Sequence, residues 1–280
     1  MRPAAMRLLV VNPNISTGVT ALIEAEALRS AEPGTSLTMR TAAFGVAYIE
    51  TRLEALIGGY AALQIAAEDH AGHDAVIVAA FGDPGVAALR EALPVPVVGL
   101  TEAALATALL LGRRVSIIAI SQRIQAWYRE VVRDLGQLDR LASIRALDQA
   151  LGRIDRVGDE HAEALLALCH RAVHEDGAEV LVLAGAPLAG LARQIGPRLP
   201  VPVVDGVSCA VRQAELLVRQ RPAPALAGSG APPPLKAHAG LPEAIARLLA
   251  DGAARVAAGL PDGPPGPQFK PPGTANSPRP

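Results

Sequence analysis

Short runs of consecutive aliphatic residues alternate along this chain with longer stretches whose apolar positions recur at helical spacing. The first run, residues 7–12, holds LLVV and is broken by Pro13 and Asn14, so a buried strand ending in a turn is predicted. Ser16 or Thr17 can cap a helix to residue 28, and Pro33-Gly34 turns the chain into a second strand at 36–41. A long helix at 50–69 and a strand at 75–80 follow. Asp83 and Pro84 sit in the favoured N-cap and N1 positions of the next helix, and 95–98 is another strand. The order then recurs. Strand 115–120 leads to a helix from Ser121 to residue 135, a weaker strand at 143–147 and a helix at 160–174. Strand 179–183, helix 187–195, strand 201–204 and helix 208–218 close the series.

The recurrence extends to the letters. DAVIVAAFGDPG from Asp74 is echoed by EVLVLAGAPLAG from Glu179, and LPVPVV occurs at both 93–98 and 199–204. Strands alternating with helices imply parallel sheets covered on both faces. The expected fold is therefore α/β, with two pseudo-symmetric lobes, each a parallel sheet flanked by helices. The domain spans 6–220, its lobes interleaved and the pseudo-repeat running over 7–100 and 114–207. Beyond residue 220 the composition turns to Pro, Gly and Ala. That region, 221–280, reads as a tail with one possible helix at 241–258, the rest too poor in apolar surface to order itself.

Composition narrows the function. Half of the 280 residues are apolar, the net charge is −1 and aromatic residues make up 2%, which argues against a nucleic-acid partner. No apolar run approaches the roughly 20 residues a membrane span needs. The opening segment reads as a first strand rather than a secretory leader. Two cysteines fit a reducing compartment, so a cytoplasmic location is expected. The six histidines form no spaced ligand set, and no metal is predicted.

In parallel α/β sheets, ligands bind beyond the carboxyl ends of the strands. Those ends carry Asn12 and Asn14, then Ala80, Phe81, Gly82 and Asp83, then Ala119, Ile120 and Ser121, then Gly185, Ala186 and Pro187, and finally Asp205. The repeat sets Ala80 against Gly185 across a pseudo-twofold. Backbone N–H groups near Gly82 and Ala186 would favour a carboxylate or another oxyanion. Asp83 and Ser121 compete between helix capping and chemistry, Asp205 between a turn and ligand contact, and the two asparagines between turn stabilisation and substrate binding. Cys169, among leucines in a helix, reads as a packing residue. Cys209 follows a helix start that can lower a thiol pKa, though its neighbours are apolar.

LLVVNPN at 8–14, AAFGDPG at 79–85, VVGLTEAA at 97–104 and VPVVDGV at 201–207 together resemble the aspartate/glutamate/hydantoin racemase superfamily, the hydantoin and allantoin racemase branch in particular. The resemblance covers roughly 6–220. It implies a two-lobed, cofactor-free enzyme for a small-molecule substrate, and by default a homo-oligomer. It also implies a pair of cysteines: one thiolate takes the proton alpha to a carbonyl and the opposite thiol returns one. At the two positions implied for those cysteines this chain has Ala80 and Gly185, and Ala119 and Ile120 stand where a Ser/Thr pair is usual. Neither Ala nor Gly can carry a proton.

Three readings follow. One is an enzyme with altered chemistry, an isomerisation, decarboxylation or cyclisation of a small carboxylate, a cyclic ureide or a more apolar carbonyl compound. Asp83, Asp205 or Cys209 would then handle protons. The second is a binding protein without turnover, and the third a racemase with one non-cysteine base and water as the opposite donor.

Overall fold

The aliphatic run that opens each half becomes the centre of its own sheet. In the computed structural model, which describes residues 6–149, 151–220 and 223–259, the first half runs β1 (Met6–Asn12), α1 (Thr17–Ser30), β2 (Thr35–Thr41), α2 (Arg52–Asp69), β3 (Ala75–Val78), α3 (Val86–Ala92), β4 (Val97–Gly99) and α4 (Leu100–Leu111). The second half runs β5 (Val115–Ala119), α5 (Gln125–Asp134), β6 (Leu141–Ala146), α6 (Val157–Glu160), α7 (Ala162–Asp176), β7 (Val180–Leu183), α8 (Leu191–Ile195), β8 (Val203–Asp205) and α9 (Gly206–Gln220). Helix α10 (Glu243–Gly259) follows.

Each half forms one four-stranded parallel sheet, in the orders β2-β1-β3-β4 and β6-β5-β7-β8. The registers correspond: Val10 and Val11 lie beside Ile77 and Val78, and Ile117 and Ile118 beside Val182 and Leu183. These central strands are buried on both faces, which is why they read as unbroken aliphatic runs rather than alternating ones. The two-lobed α/β expectation holds.

The lobes exchange their last helices. α4 leaves the first sheet and packs on β7 and β8 of the second, while α9 leaves the second and packs on β3 and β4 of the first. The two helices also lie against each other, with Gly206 close to Leu100. In α9, the Glu215 carboxylate accepts from the Glu32 amide at 2.8 Å and from the Thr35 hydroxyl at 2.6 Å, tying it to the edge of the first sheet. One continuous core therefore runs through both lobes, from Leu8 and Ile77 to Ile117 and Val182.

Local details differ from the sequence expectation. α2 starts at Arg52 rather than residue 50, because Thr51 caps it in a reciprocal box with Glu54. A 3-10 turn at Gln122–Ile124 precedes α5. α3 is capped by Gly85, whose φ is 81°, and not by Asp83. In the expected tail, α10 sits on α2 and α3, with Leu248 buried alongside Leu9, Val86 and Leu89. The Arg255 guanidinium donates to the Ala92 carbonyl at 2.7 Å. An apolar helix face accounts for this docking, which the Pro/Gly/Ala composition conceals. Residues 260–280 of that tail lie outside the described residues. Among the described residues no helix is long and apolar enough to cross a membrane.

Candidate functional site

The carboxyl ends of β1, β3, β5 and β7 converge on a cavity of about 30 Å³ between the lobes. Ala80, two residues beyond the end of β3, and Gly185, its counterpart two residues beyond β7, both line it. Phe81, Ile120, Ala186 and Pro187 complete the predicted part of its wall. Tyr48, Ile49, Ile124 and Tyr128 supply the rest, from the segment before α2 and from the start of α5. Apart from Asn14 and the two tyrosines, every lining side chain is apolar, and none carries a charge.

Asn14 keeps one functional atom free. Its Oδ1 accepts from Asn12 Nδ2 at 3.2 Å and from the Ser16 amide at 2.9 Å, which fixes the amide group. Its own Nδ2 has no protein acceptor among the described residues, and Asn14 lines the cavity. Asn12 is spent inside the turn. Its Nδ2 also donates to the Ser16 carbonyl and to Thr20 Oγ1, and its Oδ1 accepts from the Asn14 amide. Asn12 is wholly buried and does not line the cavity, so the turn role prevails for it.

Tyr128 is 3% exposed, packs on Phe81 with ring centroids 4.8 Å apart, and its hydroxyl bonds no protein atom among the described residues. Burial, with the nearby charges of Asp83 and Glu50, pushes this hydroxyl far up, so it stays protonated and acts as a donor. Burial and the Glu50 and Glu54 carboxylates raise Tyr48 in the same sense. The amides of Phe81 and Ala186 also lack a protein acceptor among the described residues. Gly185 has φ 114° and ψ 138°, backbone that an L side chain rarely adopts. The cavity thus offers hydrogen-bond donors and no general base.

The carboxylates expected to handle protons cap helices instead. Asp83, with φ 51°, turns its side chain away from α3 and accepts from the amides of Thr101 at 2.8 Å and Glu102 at 2.9 Å, the start of α4. A Cβ on Gly99 would collide with this carboxylate. Thr101 Oγ1 in turn accepts from the Gly82 amide at 2.6 Å, and Gly82 lies under the Trp127 ring, off the cavity wall. Burial pushes Asp83 up to about 7, against the pull of the Thr101 amide and hydroxyl and of the Arg90 guanidinium. In the second lobe the residue matching Gly99 is Asp205, which caps α9 directly through the Ser208 amide (2.9 Å) and hydroxyl (3.0 Å). Burial raises it too, with Ser208 opposing. Each lobe thus satisfies its exchanged helix with one carboxylate, drawn from a loop in one case and from the strand end in the other.

The thiols lie elsewhere. Cys209 sits inside α9, pushed up to about 11 by burial, and Cys169 inside α7, pushed up to about 12 by the same cause. Neither touches the cavity. Ala119 is buried at the end of β5, behind Ile120. Ser121 caps the 3-10 turn through the Arg123 amide at 3.2 Å and donates to Glu50. It faces an outer pocket shared with Tyr48. Among the described residues no three His, Cys, Asp or Glu side chains gather as a metal site.

Sequence reasoning missed Tyr48, Ile49, Ile124 and Tyr128, because none falls at a strand end. The available signal was rarity: with three tyrosines in 280 residues, two of them meet at one cavity.

Comparison with known proteins supplies a context for this geometry. A family model described as Asp/Glu/Hydantoin racemase matches residues 8–214. A hydantoin racemase of Paenarthrobacter aurescens is 38% identical over 217 residues, 76% of this chain and 91% of its own length. An allantoin racemase structure from Pseudomonas fluorescens superposes with TM-score 0.79 at 35% identity, covering 84% of this chain and all of that one. The allantoin racemase of Klebsiella pneumoniae gives TM-score 0.81 at 34% identity, covering 86% and 98%.

Proposed function

The chain belongs to the Asp/Glu/hydantoin racemase family, and on that premise we propose that it is a cofactor-independent enzyme that acts on a small carbonyl compound without the two-thiol mechanism. Its substrate is a small carboxylate, a cyclic ureide or a more apolar carbonyl compound, and its reaction an isomerisation, a decarboxylation or a cyclisation. One observation carries this reading. The cavity at the carboxyl ends of both sheets holds Ala80 and Gly185 facing the same space, ringed by donors, with both thiols buried in helices away from it.

The donors bear on the type of chemistry. Asn14 Nδ2 and the Tyr48 and Tyr128 hydroxyls can bond a carbonyl oxygen and strengthen that bond as negative charge develops on it. Such preorganised donors in a water-poor site contribute roughly 3–4 kcal/mol apiece when the oxygen becomes an anion. Removal of an alpha proton needs a base, and the wall supplies none. Loss of carbon dioxide from a carboxylate beside the carbonyl needs none: the breaking C–C bond delivers its electron pair to the carbonyl, and the donors hold the resulting enolate until it is protonated. Among the three reaction classes, decarboxylation therefore asks least that this wall lacks.

Incubation with hydantoins, allantoin, small amino acids and substituted malonates in D2O tests the reading. Release of carbon dioxide with one deuterium captured supports it. Exchange of the alpha proton into an otherwise unchanged hydantoin or amino acid by the unmodified chain would reveal a working base and defeat it. Exchange that appears only in Ala80→Cys with Gly185→Cys would mark a cleft that lacks nothing but its proton carriers. Thermal stabilisation by a ligand without any turnover would favour a binding role instead.

A further inference from the structure

A second opening between the lobes, of about 310 Å³, falls within the roughly 300–1,000 Å³ usual for small-molecule sites. Its lining comes from α1 of the first lobe and, in the second, from residues 155–159 and 187–194. Pro187 lines both this opening and the inner cavity. The repeat sets Gly82 in the place of Pro187, and there the Trp127 ring of α5 covers the chain. Helix α1, the counterpart of α5, has no such ring, because the chain's single tryptophan is spent on the other side. The matching place therefore stays open.

The charges around it are sorted. Glu26 of α1 is 1% exposed, and its carboxylate accepts from Arg193 Nε at 3.0 Å and Nη2 at 2.7 Å. Ser30, also buried, accepts from the same Nη2 at 3.1 Å. A wholly buried carboxylate is a poor source of stability, since desolvation offsets its pairing. Here it holds the Arg193 guanidinium in one orientation across the lobe boundary. Arg193 remains half exposed, and its Nη1 has no protein acceptor among the described residues. Arg29 approaches the same carboxylate at 3.6 Å and donates no hydrogen bond among the described residues. The acids in the lining are Asp155 and Asp159. Arg153 keeps Asp155 ionised through bonds of 3.1 and 2.6 Å, while exposed Asp159 has only Arg156 near it, at 3.6 Å. Leu22, Ala25 and Leu191 make up the apolar part.

We propose that this opening is a second ligand site, separate from the inner cavity, for a zwitterionic α-amino acid with a small apolar side chain. The ligand carboxylate takes the donors that Arg29 and Arg193 leave free, and its ammonium group pairs with Asp159 and Asp155. Its side chain covers Leu22 and Leu191. A dicarboxylate would set its second anion against the two aspartates, and a diamine its second cation against the two arginines, so the lining selects one charge of each sign. Occupancy also bears on the inner cavity. Pro187 lies on a segment bounded by Gly185 and Gly190, with φ of 114° and 82°. A ligand bonded to Arg193 restrains that segment, which carries Gly185 and Ala186 to the inner wall.

Valine, isovalerate and isobutylamine share one apolar body and differ in charge, so they serve as probes of the full chain. Calorimetric titration should give valine an affinity at least about tenfold above either singly charged analogue. Amide hydrogen exchange read by mass spectrometry should show valine protecting 22–29, 154–159 and 185–194, with 47–49 and 120–128 unchanged. Arg29→Gln and Asp159→Asn alter exposed side chains, so each should keep Tm within about 2 °C and weaken valine about tenfold. Equal affinity for valine and isovalerate overturns the assignment. So does valine at tens of millimolar that gives no heat, no thermal shift and no protection. Protection confined to 47–49 and 120–128 overturns it as well, by moving the ligand to the inner cavity. An undiminished affinity in both variants has the same force. None of these measurements reads turnover, so they stand or fall apart from the reaction proposed above.

Discussion

Titration of Asp83 separates a structural carboxylate from a catalytic one. In the folded chain burial raises this group from 3.8 to about 7, so between those values the folded state holds a proton that the unfolded chain has released. The associated stability is fully present below about pH 3.8 and is lost as pH rises through 7. At 1.36 kcal/mol for each tenfold change in proton affinity, the whole span corresponds to about 4 kcal/mol. About half of it, roughly 2 kcal/mol, falls between pH 5.5 and 8.5. In urea unfolding, with m of about 2–3 kcal/mol/M, that moves the midpoint down by roughly 1 M across the window. Asp205 and other buried groups add their own slopes, so the diagnostic quantity is the difference between the parent chain and Asp83→Asn. The Asn variant cannot titrate, and it sets an NH2 against one α4 amide, so it should begin less stable at pH 5.5 and lose less on the way to 8.5. Ligand binding should survive in it at pH 5.5. Parallel midpoint curves for the two chains would refute the burial-raised proton affinity of Asp83, an Asp83→Asn chain as stable as the parent at pH 5.5 would refute the capping argument, and abolished binding in a folded Asp83→Asn chain would return Asp83 to the active site.

The remaining predictions concern other parts of the same frame. Gly185→Ala should cost about 1–3 kcal/mol for a side chain forced to φ 114°, read by calorimetry as a fall in Tm of roughly 2–10 °C. Tyr128→Phe removes a hydroxyl with no protein partner, so Tm should stay within about 1 °C while affinity for any stabilising carbonyl ligand drops roughly tenfold. Leu248→Ala should destabilise the chain by about 2–5 kcal/mol in urea unfolding, because α10 completes the core over Leu9 and Leu89. Iodoacetamide at pH 8 should leave Cys169 and Cys209 almost untouched in the native chain, since thiols pushed to about 12 and 11 hold on the order of 0.1% thiolate or less there.

The sheets were legible because fully buried strands leave an unbroken aliphatic signature, and the repeated LPVPVV fixed which strands correspond. From the repeat alone, Ala80 and Gly185 were placed opposite one another, and both line the cavity. Other features were hidden because they depend on distance in space rather than along the chain. Asp83 followed by Pro84 carries the local pattern of a cap for α3, yet its carboxylate serves α4, eighteen residues on, through Thr101. Asp205 performs the same service locally, and nothing in either stretch announces the difference. Tyr48 and Tyr128 escaped notice because the halves are not alike where they sit: one is on a loop, the other on the first turn of a helix. Asn12 looked as promising as Asn14, and only the bonding inside the turn tells them apart.

The traded helices set a limit on how this molecule can be divided. Cut between α4 and β5, the first piece would keep a sheet whose cover, α9, lies on the other piece, and the second would miss α4 in the same way. Neither fragment closes its own interior, so the two pieces should be insoluble apart and should assemble when expressed together. A half-length polypeptide on this plan would meet the same need by lending its terminal helix to an identical neighbour, and fusing two such neighbours end to end gives the present arrangement.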